Sequence, residues 1–205
     1  MNSTTRKRTG RRQPTQRRAH DTVEAVLDAV IRILKREGLS AVTTNRIAEV
    51  AGVSIGSLYQ YFPDKLAIFA ALHQRHIDQI DRIVQRVFVL HATSPLDKLV
   101  TSMIDAMVEA HEADPELHGL FMSQVPHGAV GGHEFAVRLH GAFLMAIAAR
   151  SHELKKSCDP VKAAFIVAHM VDALGHGVVL RRPPGLSRND AKKEAIRAVL
   201  AYLRS

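Results

Sequence analysis

The chain has 205 residues and a mass of 22.6 kDa, of which 46% are hydrophobic and 23% charged. This composition is typical of one ordinary or two small globular domains and argues against a wholly disordered chain. One cysteine, Cys158, excludes an internal disulfide and a zinc site built on several cysteines. The longest apolar run, residues 142–149, is too short for a bilayer, and no apolar signal segment follows the basic start. We therefore expect a cytoplasmic protein with no membrane segment.

Positive charge is concentrated near the N-terminus. The formal net charge is +8, yet positions 1–20 hold seven basic residues and no acidic one, which leaves the remainder almost neutral. Residues 1–19 are predicted to form a basic disordered arm suited to a polyanion such as nucleic acid. A solvated terminus that only improves solubility explains the charge equally well. The basic residues are Arg6, Lys7, Arg8, Arg11, Arg12, Arg17 and Arg18.

The rest of the chain has the pattern of successive helices. Apolar residues spaced by three and four between Val23 and Leu34 predict an amphipathic first helix that ends at Gly38. No strand pattern of useful length is present, and the glycine-rich residues 126–132 are predicted to be a mobile loop. The predicted helices cover residues 21–37, 44–51, 55–61, 65–90, 95–112, 115–124, 133–156, 160–181 and 188–203.

Four of these helices have recognisable starts. Three of them pair an N-cap residue with a proline at the first helical position, and the fourth resembles a capping box. These pairs are Ser94-Pro95, Asp114-Pro115, Asp159-Pro160 and Ser187 with Asp190.

Residues 43–65, TTNRIAEVAGVSIGSLYQYFPDK, carry the most informative pattern. Thr43 or Thr44 is a cap for one short helix, Gly52 permits the positive φ of a tight turn, and Ser54 is a cap for a second helix. Two helices joined by such a turn, here over residues 43–62, predict a helix-turn-helix whose second helix fits the DNA major groove. A helical hairpin used only for packing is the alternative.

This segment resembles the TetR family of bacterial transcriptional regulators over roughly residues 20–75. The resemblance implies an all-α fold, with a three-helix helix-turn-helix DNA-binding domain at 20–75 and a helical-bundle ligand-binding and dimerisation domain at 76–205. The residues that carry it are Thr43-Thr44, Ile47-Ala48, Ala51-Gly52-Val53-Ser54, Gly56-Ser57-Leu58-Tyr59, Tyr61-Phe62 and Lys65.

The resemblance also implies roles in DNA binding for individual residues, with Thr43 included in the binding segment. Thr44 and Lys65 are expected to contact phosphates, while Ile55, Ser57 and Gln60 occupy variable positions that face bases. Contacts to the groove and backbone are expected from Ser54, Gly56, Tyr59 and Tyr61.

Two of the base-facing residues, Ile55 and Gln60, are weak predictors of which base pairs the protein recognises. Many relatives have a basic residue where Ile55 stands, and isoleucine offers only contact with a thymine methyl group. Gln60 suits a bidentate pair with adenine, but it suits a bond to phosphate or water equally well.

Histidine is abundant, with twelve copies. His169, Asp172 and His176 share one helical face, where they suit a cation or a polar ligand; ordinary roles in a cavity or subunit interface are the alternative, and we predict neither a metal nor a cofactor. His73 and His76 are expected on the solvent side or at a domain seam.

Methionine and phenylalanine residues of the C-terminal half predict an effector pocket with adaptable walls. Each of them also suits simple packing in the core. The predicted lining is Met103, Met107, His111, Phe121, His140, Phe143 and His169.

No catalytic motif is present: the sequence lacks a glycine-rich phosphate loop and a nucleophile elbow, and a redox role for Cys158 is a minor alternative.

The resemblance implies a homodimeric repressor that a small molecule releases from double-stranded operator DNA. Dimerisation is predicted through the helices near 160–181 and 188–203, with close approach at Ala164, Ala168, Gly175 and Gly177. A constitutive DNA binder without ligand, and a small-ligand carrier or structural helical protein without DNA function, remain the alternatives.

Overall fold

The computed structural model describes residues 13–125 and 132–204, and every regular element in these ranges is helical, which confirms the all-α prediction. The chain divides into two compact units between Leu72 and His73. The elements of the first unit are α1 (Gln13–Glu37), a 3-10 turn (Leu39–Ala41), α2 (Thr44–Ala51) and α3 (Ile55–Tyr61), and α4 (Lys65–Leu90) crosses the boundary. The second unit continues with α5 (Leu96–Glu112), α6 (Pro115–Gln124), α7 (Gly132–Ala148), a 3-10 turn (Ser151–Glu153), α8 (Pro160–Leu180) and α9 (Arg188–Arg204).

The first helix is longer than predicted. It begins at Gln13 instead of residue 21, so residues 13–19 of the predicted disordered arm are helical, and residues 1–12 lie outside the described part. The prediction relied on the apolar stripe, which starts only at Val23. The preceding residues are polar but include good helix formers such as Arg17 and Arg18, which extend the helix without adding to that stripe. The predicted loop at residues 126–132 also falls almost entirely outside the described residues.

The seventh helix is shorter than predicted, because it ends at Ala148 and not at residue 156. Arg150 is 5% exposed and turns out of the helix to place its guanidinium among backbone carbonyls. A buried guanidinium needs such acceptors, and the long-range contact overrides the local helical preference. The carbonyl oxygens that accept its hydrogen bonds, at 2.6–2.8 Å, belong to His91, Ala92, Ser94 and Ala146.

The predicted caps are only partly used. Asp159 accepts from the backbone N–H groups of Val161 and Lys162, and Ser187 Oγ accepts from Asp190 N. The start of α5 is different: Leu96 N donates to Glu153 Oε2 at 2.9 Å, so a distant carboxylate satisfies an N–H group that Ser94 was expected to serve.

The core of the second unit forms around α8, which packs against α5, α7 and α9. A Cβ placed on Gly175 would lie 3.2 Å from Met107 Cβ, so the absence of a side chain permits close approach of α8 to α5. Ala164, Ala168 and Gly175 therefore face the core of their own chain, and the prediction that they face a partner is wrong. Within the described residues α8 is also the helix whose length and mean hydropathy of 1.7 suit a membrane span, but its buried residues mark it as a core helix.

Candidate nucleic-acid interface and effector cavity

Local hydrogen bonds set the ends of α2. Thr43 is its N-cap, with Oγ1 accepting from Arg46 N at 3.2 Å. At the other end Gly52 adopts φ 70°, a left-handed conformation that favours glycine, and its N–H donates to the carbonyls of Ala48 and Glu49. The turn that the sequence predicted between the two helices is therefore formed.

The next helix, α3, is capped in the same way. Ser54 Oγ accepts from Ser57 N at 3.0 Å and lies 2.8 Å from Ser57 Oγ. Leu58 and Phe62 are buried in the core of the first unit. Ser57 was predicted to face bases, but its side chain is half-buried and its hydroxyl already bonds the cap.

The outer face of α3 is composed of exposed residues that fold stability does not explain. Ile55, Tyr59 and Tyr61 are 39%, 49% and 39% exposed, and Gly56 and Gln60 are exposed beside them. Exposed large hydrophobic and aromatic side chains that occur together are typical of interaction surfaces. The predicted groove contacts on α3 are thus exposed.

Thr44 and Lys65 lie at the first turns of α2 and α4. Thr44 Oγ1 is 3.3 Å from the Tyr59 hydroxyl, which ties it to the outer face of α3. Lys65 is half-buried and its Nζ lies over the Phe69 ring, 5.6 Å from the centroid. Asp64 Oδ1 caps α4 by accepting from Ala67 N at 2.8 Å. A lysine at a helix start suits phosphate contact because the helix N-terminus also attracts anions.

The second unit contains a cavity of about 320 Å³. Of the seven residues predicted to line an effector pocket, the structure places four in its wall: Met107, His111, Phe121 and His169.

The other three predicted pocket residues lie elsewhere. Met103 and Phe143 are fully buried in the core, and the His140 ring lies 6.3 Å from the Phe165 ring. Periodicity identifies the buried face of a helix, but it does not identify which buried residue borders an empty space. The wall of this cavity therefore does not include these three positions, and their role in effector binding stays a prediction.

Sequence reasoning missed part of the histidine wall. His73 and His76, predicted at the solvent side or a domain seam, line the cavity instead, as does His118. Only assembly of α4, α5, α6 and α8 reveals this cluster, because its members lie far apart in sequence. Among the described residues, the histidines in the wall are His73, His76, His111, His118, His169 and His176, with Asp172 beside them.

The histidine rings are in contact with each other. The centroids of His111 and His118 are 4.3 Å apart in a stacked arrangement, those of His111 and His176 are 4.1 Å apart, and those of His76 and His118 are 4.6 Å apart. Burial is the main cause, and repulsion from neighbouring histidines the second, of a lowered pKa at two of these rings: about 2 for His118 and about 4 for His76. Burial also lowers the pKa of His111. These three imidazoles are therefore neutral at neutral pH.

Two family models match this chain. Residues 26–72 match the model described as "Bacterial regulatory proteins, tetR family", and residues 95–203 match the "Tetracyclin repressor-like, C-terminal domain". The second match alone covers more than half of the chain.

Curated relatives match over less than half of this chain. The nucleoid occlusion factor SlmA of Actinobacillus pleuropneumoniae is 43% identical over 68 residues, which are 31% of this chain and 34% of the relative. The transcriptional repressor KstR of Mycolicibacterium smegmatis is 32% identical over 92 residues, 45% of this chain and 44% of the relative. The matched regions thus span less than half of these relatives.

Solved structures share the fold across both units. The SmeT repressor of the Stenotrophomonas maltophilia efflux pump SmeDEF has a TM-score of 0.68 at 21% identity, covering 90% of this chain and 93% of its own. The Pseudomonas aeruginosa repressor NalD has a TM-score of 0.67 at 16% identity, covering 91% and 98%. At these identities the likeness shows the fold alone. With both family models matched in chain order, the protein belongs to the tetR family of bacterial regulatory proteins, which are DNA-binding transcription regulators and not enzymes.

Proposed function

We propose that this protein is a cytoplasmic homodimeric repressor that binds operator DNA through α3 and releases it when a small molecule occupies the cavity of the second unit. The observation that carries the DNA-binding part is the exposed outer face of α3. Among its relatives, KstR of Mycolicibacterium smegmatis is named a transcriptional repressor, which supports repression over activation. The SlmA match covers 31% of this chain, so the function that its name gives is not carried over.

Gly56 supports close approach of α3 to another molecule. A Cβ at this position would meet just one atom of the described residues within 4 Å, Ser54 Oγ at 3.9 Å. Folding of this unit therefore does not require glycine here, although glycine in a helix costs about 0.5–1 kcal/mol relative to alanine. A partner surface that lies flush against the helix, such as the wall of the major groove, accounts for its presence.

The proposed dimer forms through α8 and α9. Val161 and Phe165 on α8 are 57% and 52% exposed, and Ile166 is exposed beside them. This patch stands on the helix whose opposite face is buried in the core, so it is held rigidly. Burying aromatic and aliphatic side chains of this kind supplies most of the free energy of a stable interface.

Release by a small molecule is supported by the cavity and by the continuity of α4. This helix starts at Lys65, and further along it His73, His76 and Ile77 stand in the cavity wall. A ligand that contacts these side chains differently in two positions of α4 changes the equilibrium between those positions. In a constitutive binder, by contrast, ligand occupancy leaves DNA affinity unchanged.

The test begins with selection of binding sites from random duplex DNA by the full chain. We expect a sequence with two half-sites related by twofold symmetry, their centres about 34–36 Å apart or a multiple of this distance. The variant Gly56→Leu is expected to bind the selected duplex at least about tenfold more weakly, because its side chain prevents close approach.

The matched control is Gly119→Leu, since a Cβ on Gly119 in α6 would meet no described atom within 4 Å. It is expected to bind the duplex normally. Failure to enrich any sequence, or equal binding by both variants, contradicts the assignment of α3 as the DNA-reading helix.

A further inference from the structure

We propose that the cavity holds a divalent late transition-metal ion, of the class Zn²⁺, Ni²⁺ or Co²⁺, on the imidazoles of His111, His118 and His176. One ring nitrogen from each of the three residues lies within 4.8 Å of the other two. The ligands come from three different helices, α5, α6 and α8, so the fold itself brings them together. The site stands on its own geometry, and only its effect on DNA binding rests on the proposed function.

The strongest observation is the contact between His111 and His176, whose Nε2 atoms are 2.9 Å apart. The other nitrogen of each ring faces a backbone carbonyl: His111 Nδ1 faces Met107 O, and His176 Nδ1 faces Asp172 O at 2.8 Å. A carbonyl oxygen only accepts, so each Nδ1 must carry the hydrogen. In the neutral rings both Nε2 atoms then present lone pairs to each other, and a cation or a proton between them is needed to make the contact favourable.

The geometry suits a metal ion. Zinc–nitrogen distances of about 2.0–2.1 Å with tetrahedral angles place ligand nitrogens about 3.3 Å apart, so small rotations of these side chains convert the present spacing into a coordinating one. Metal-bound histidines typically donate their second N–H to a carbonyl or carboxylate, which fixes the tautomer. His111 and His176 already have that arrangement.

His118 supplies independent support. It is 4% exposed, and its Nε2 has no hydrogen-bond partner among the residues that the structure describes. Leaving a buried polar atom without a partner costs free energy, which coordination offsets.

The ligand set selects the class of metal. Three imidazoles suit zinc, nickel and cobalt, while Mg²⁺ and Ca²⁺ prefer oxygen ligands. The single cysteine precedes the start of α8, and Pro160 is about 24 Å along that helix from His176. A thiolate ligand from the same chain is therefore excluded, and three protein ligands leave at least one coordination position open, as in catalytic and exchangeable sites.

A proton shared between His111 and His176 is the rival explanation of their contact, and direct metal titration distinguishes the two. The full chain is stripped with a chelator, which is then removed, and Zn²⁺ binding is measured by calorimetry, with Co²⁺ absorption in the visible range as a probe of coordination. We expect one high-affinity ion per chain and Co²⁺ bands typical of nitrogen ligands in a tetrahedral field.

Variants identify the ligands. His118→Gln and His176→Gln are each expected to weaken Zn²⁺ binding on the order of 100-fold, by analogy with the 10–100-fold losses that mutations of outer-shell residues cause at metal sites. His169→Gln is the matched control, since His169 also lines the cavity but bonds Phe165 O instead of joining the cluster. Because His176 is partly exposed, its variant keeps the test valid if replacement of the buried His118 unfolds the protein.

The proposal is overturned if the stripped wild-type protein does not bind added Zn²⁺ with high affinity. It is also overturned if all the variants bind Zn²⁺ as tightly as the wild type. Addition of Zn²⁺ to the complex with the selected duplex is a separate measurement. If Zn²⁺ binds but does not change the affinity for DNA, the metal site is established, but control of DNA binding by that ion is contradicted.

Discussion

The hydroxyl oxygens of Thr44 and Tyr59 lie 3.3 Å apart, so a hydrogen bond joins the first turn of α2 to the exposed face of α3. Either hydroxyl is able to donate in this bond. The hydroxyl that accepts keeps its own O–H free to donate to a phosphate oxygen or a base edge. The bond also restricts the Tyr59 ring, although that ring is about half exposed. The two residues therefore form one preorganised unit at the proposed DNA-binding surface.

The first prediction separates the hydroxyl from the ring of Tyr59. Tyr59→Phe is expected to weaken binding to the selected duplex by about 1 kcal/mol, the usual net value of one hydrogen bond, and Tyr59→Ala is expected to weaken it further. The free energy of unfolding of both variants should lie within about 0.5 kcal/mol of the wild-type value, because the side chain is at the surface. Fluorescence anisotropy and urea denaturation measure the two quantities. An alanine variant with normal DNA affinity would count against α3 as the recognition helix.

Lys65→Ala tests the phosphate contact predicted at the start of α4. Loss of one phosphate contact weakens binding to all duplexes alike and lowers the slope of log affinity against log salt by about one. Affinities for the selected and for a scrambled duplex are measured at several salt concentrations. Lys98→Ala is the control, because Lys98 is an exposed lysine in the second unit. A loss confined to the selected duplex would show that Lys65 reads sequence instead.

The DNA-binding segment is predictable from the sequence because its geometry is local. Thr43 and Ser54 bond N–H groups three residues away, and Gly52 adopts the turn conformation that the pattern predicts. Ser57 shows the limit: the resemblance implies that it faces bases, but the nearby cap at Ser54 engages its hydroxyl. Spacing reports which face a residue occupies and not which neighbour takes its hydrogen bonds.

The second unit is less predictable because its decisive contacts join distant segments. Arg150 ends α7 by bonding carbonyls more than 50 residues earlier in the chain. His76 and His118 lie 42 positions apart in the printed sequence yet have ring centroids 4.6 Å apart. Neither arrangement has a signature at helical spacing, so no pattern along one helix could have identified the cavity wall.

Arg150 gives a prediction about stability. Arg150→Met preserves much of the apolar stem but removes the donors for four backbone carbonyls, so we expect unfolding to become easier by about 3 kcal/mol or more. The matched control is Arg197→Met, because Arg197 is exposed in a surface ion pair with Glu194 and should change stability by less than about 1 kcal/mol. Urea denaturation at fixed protein concentration measures both. Similar small losses in the two variants would show that solvent replaces the buried donors.

The last prediction concerns the cavity as an effector site. Ala136 lines the cavity from α7 and is exposed enough to accept a larger side chain without disturbing the core. Ala136→Trp is expected to fill the space and weaken effector binding at least about tenfold, while operator affinity without effector stays normal, since the substitution leaves the outer face of α3 unchanged.

The effector is first identified as a compound that stabilises the full chain against heat and releases it from the selected duplex. Release is then measured by anisotropy across an effector titration. Ala148→Trp places the same side chain on an exposed residue at the end of α7, outside the cavity wall, and should respond like the wild type. If both tryptophan variants release DNA at the wild-type effector concentration, the effector binds elsewhere, because a filled cavity cannot accept it with unchanged affinity.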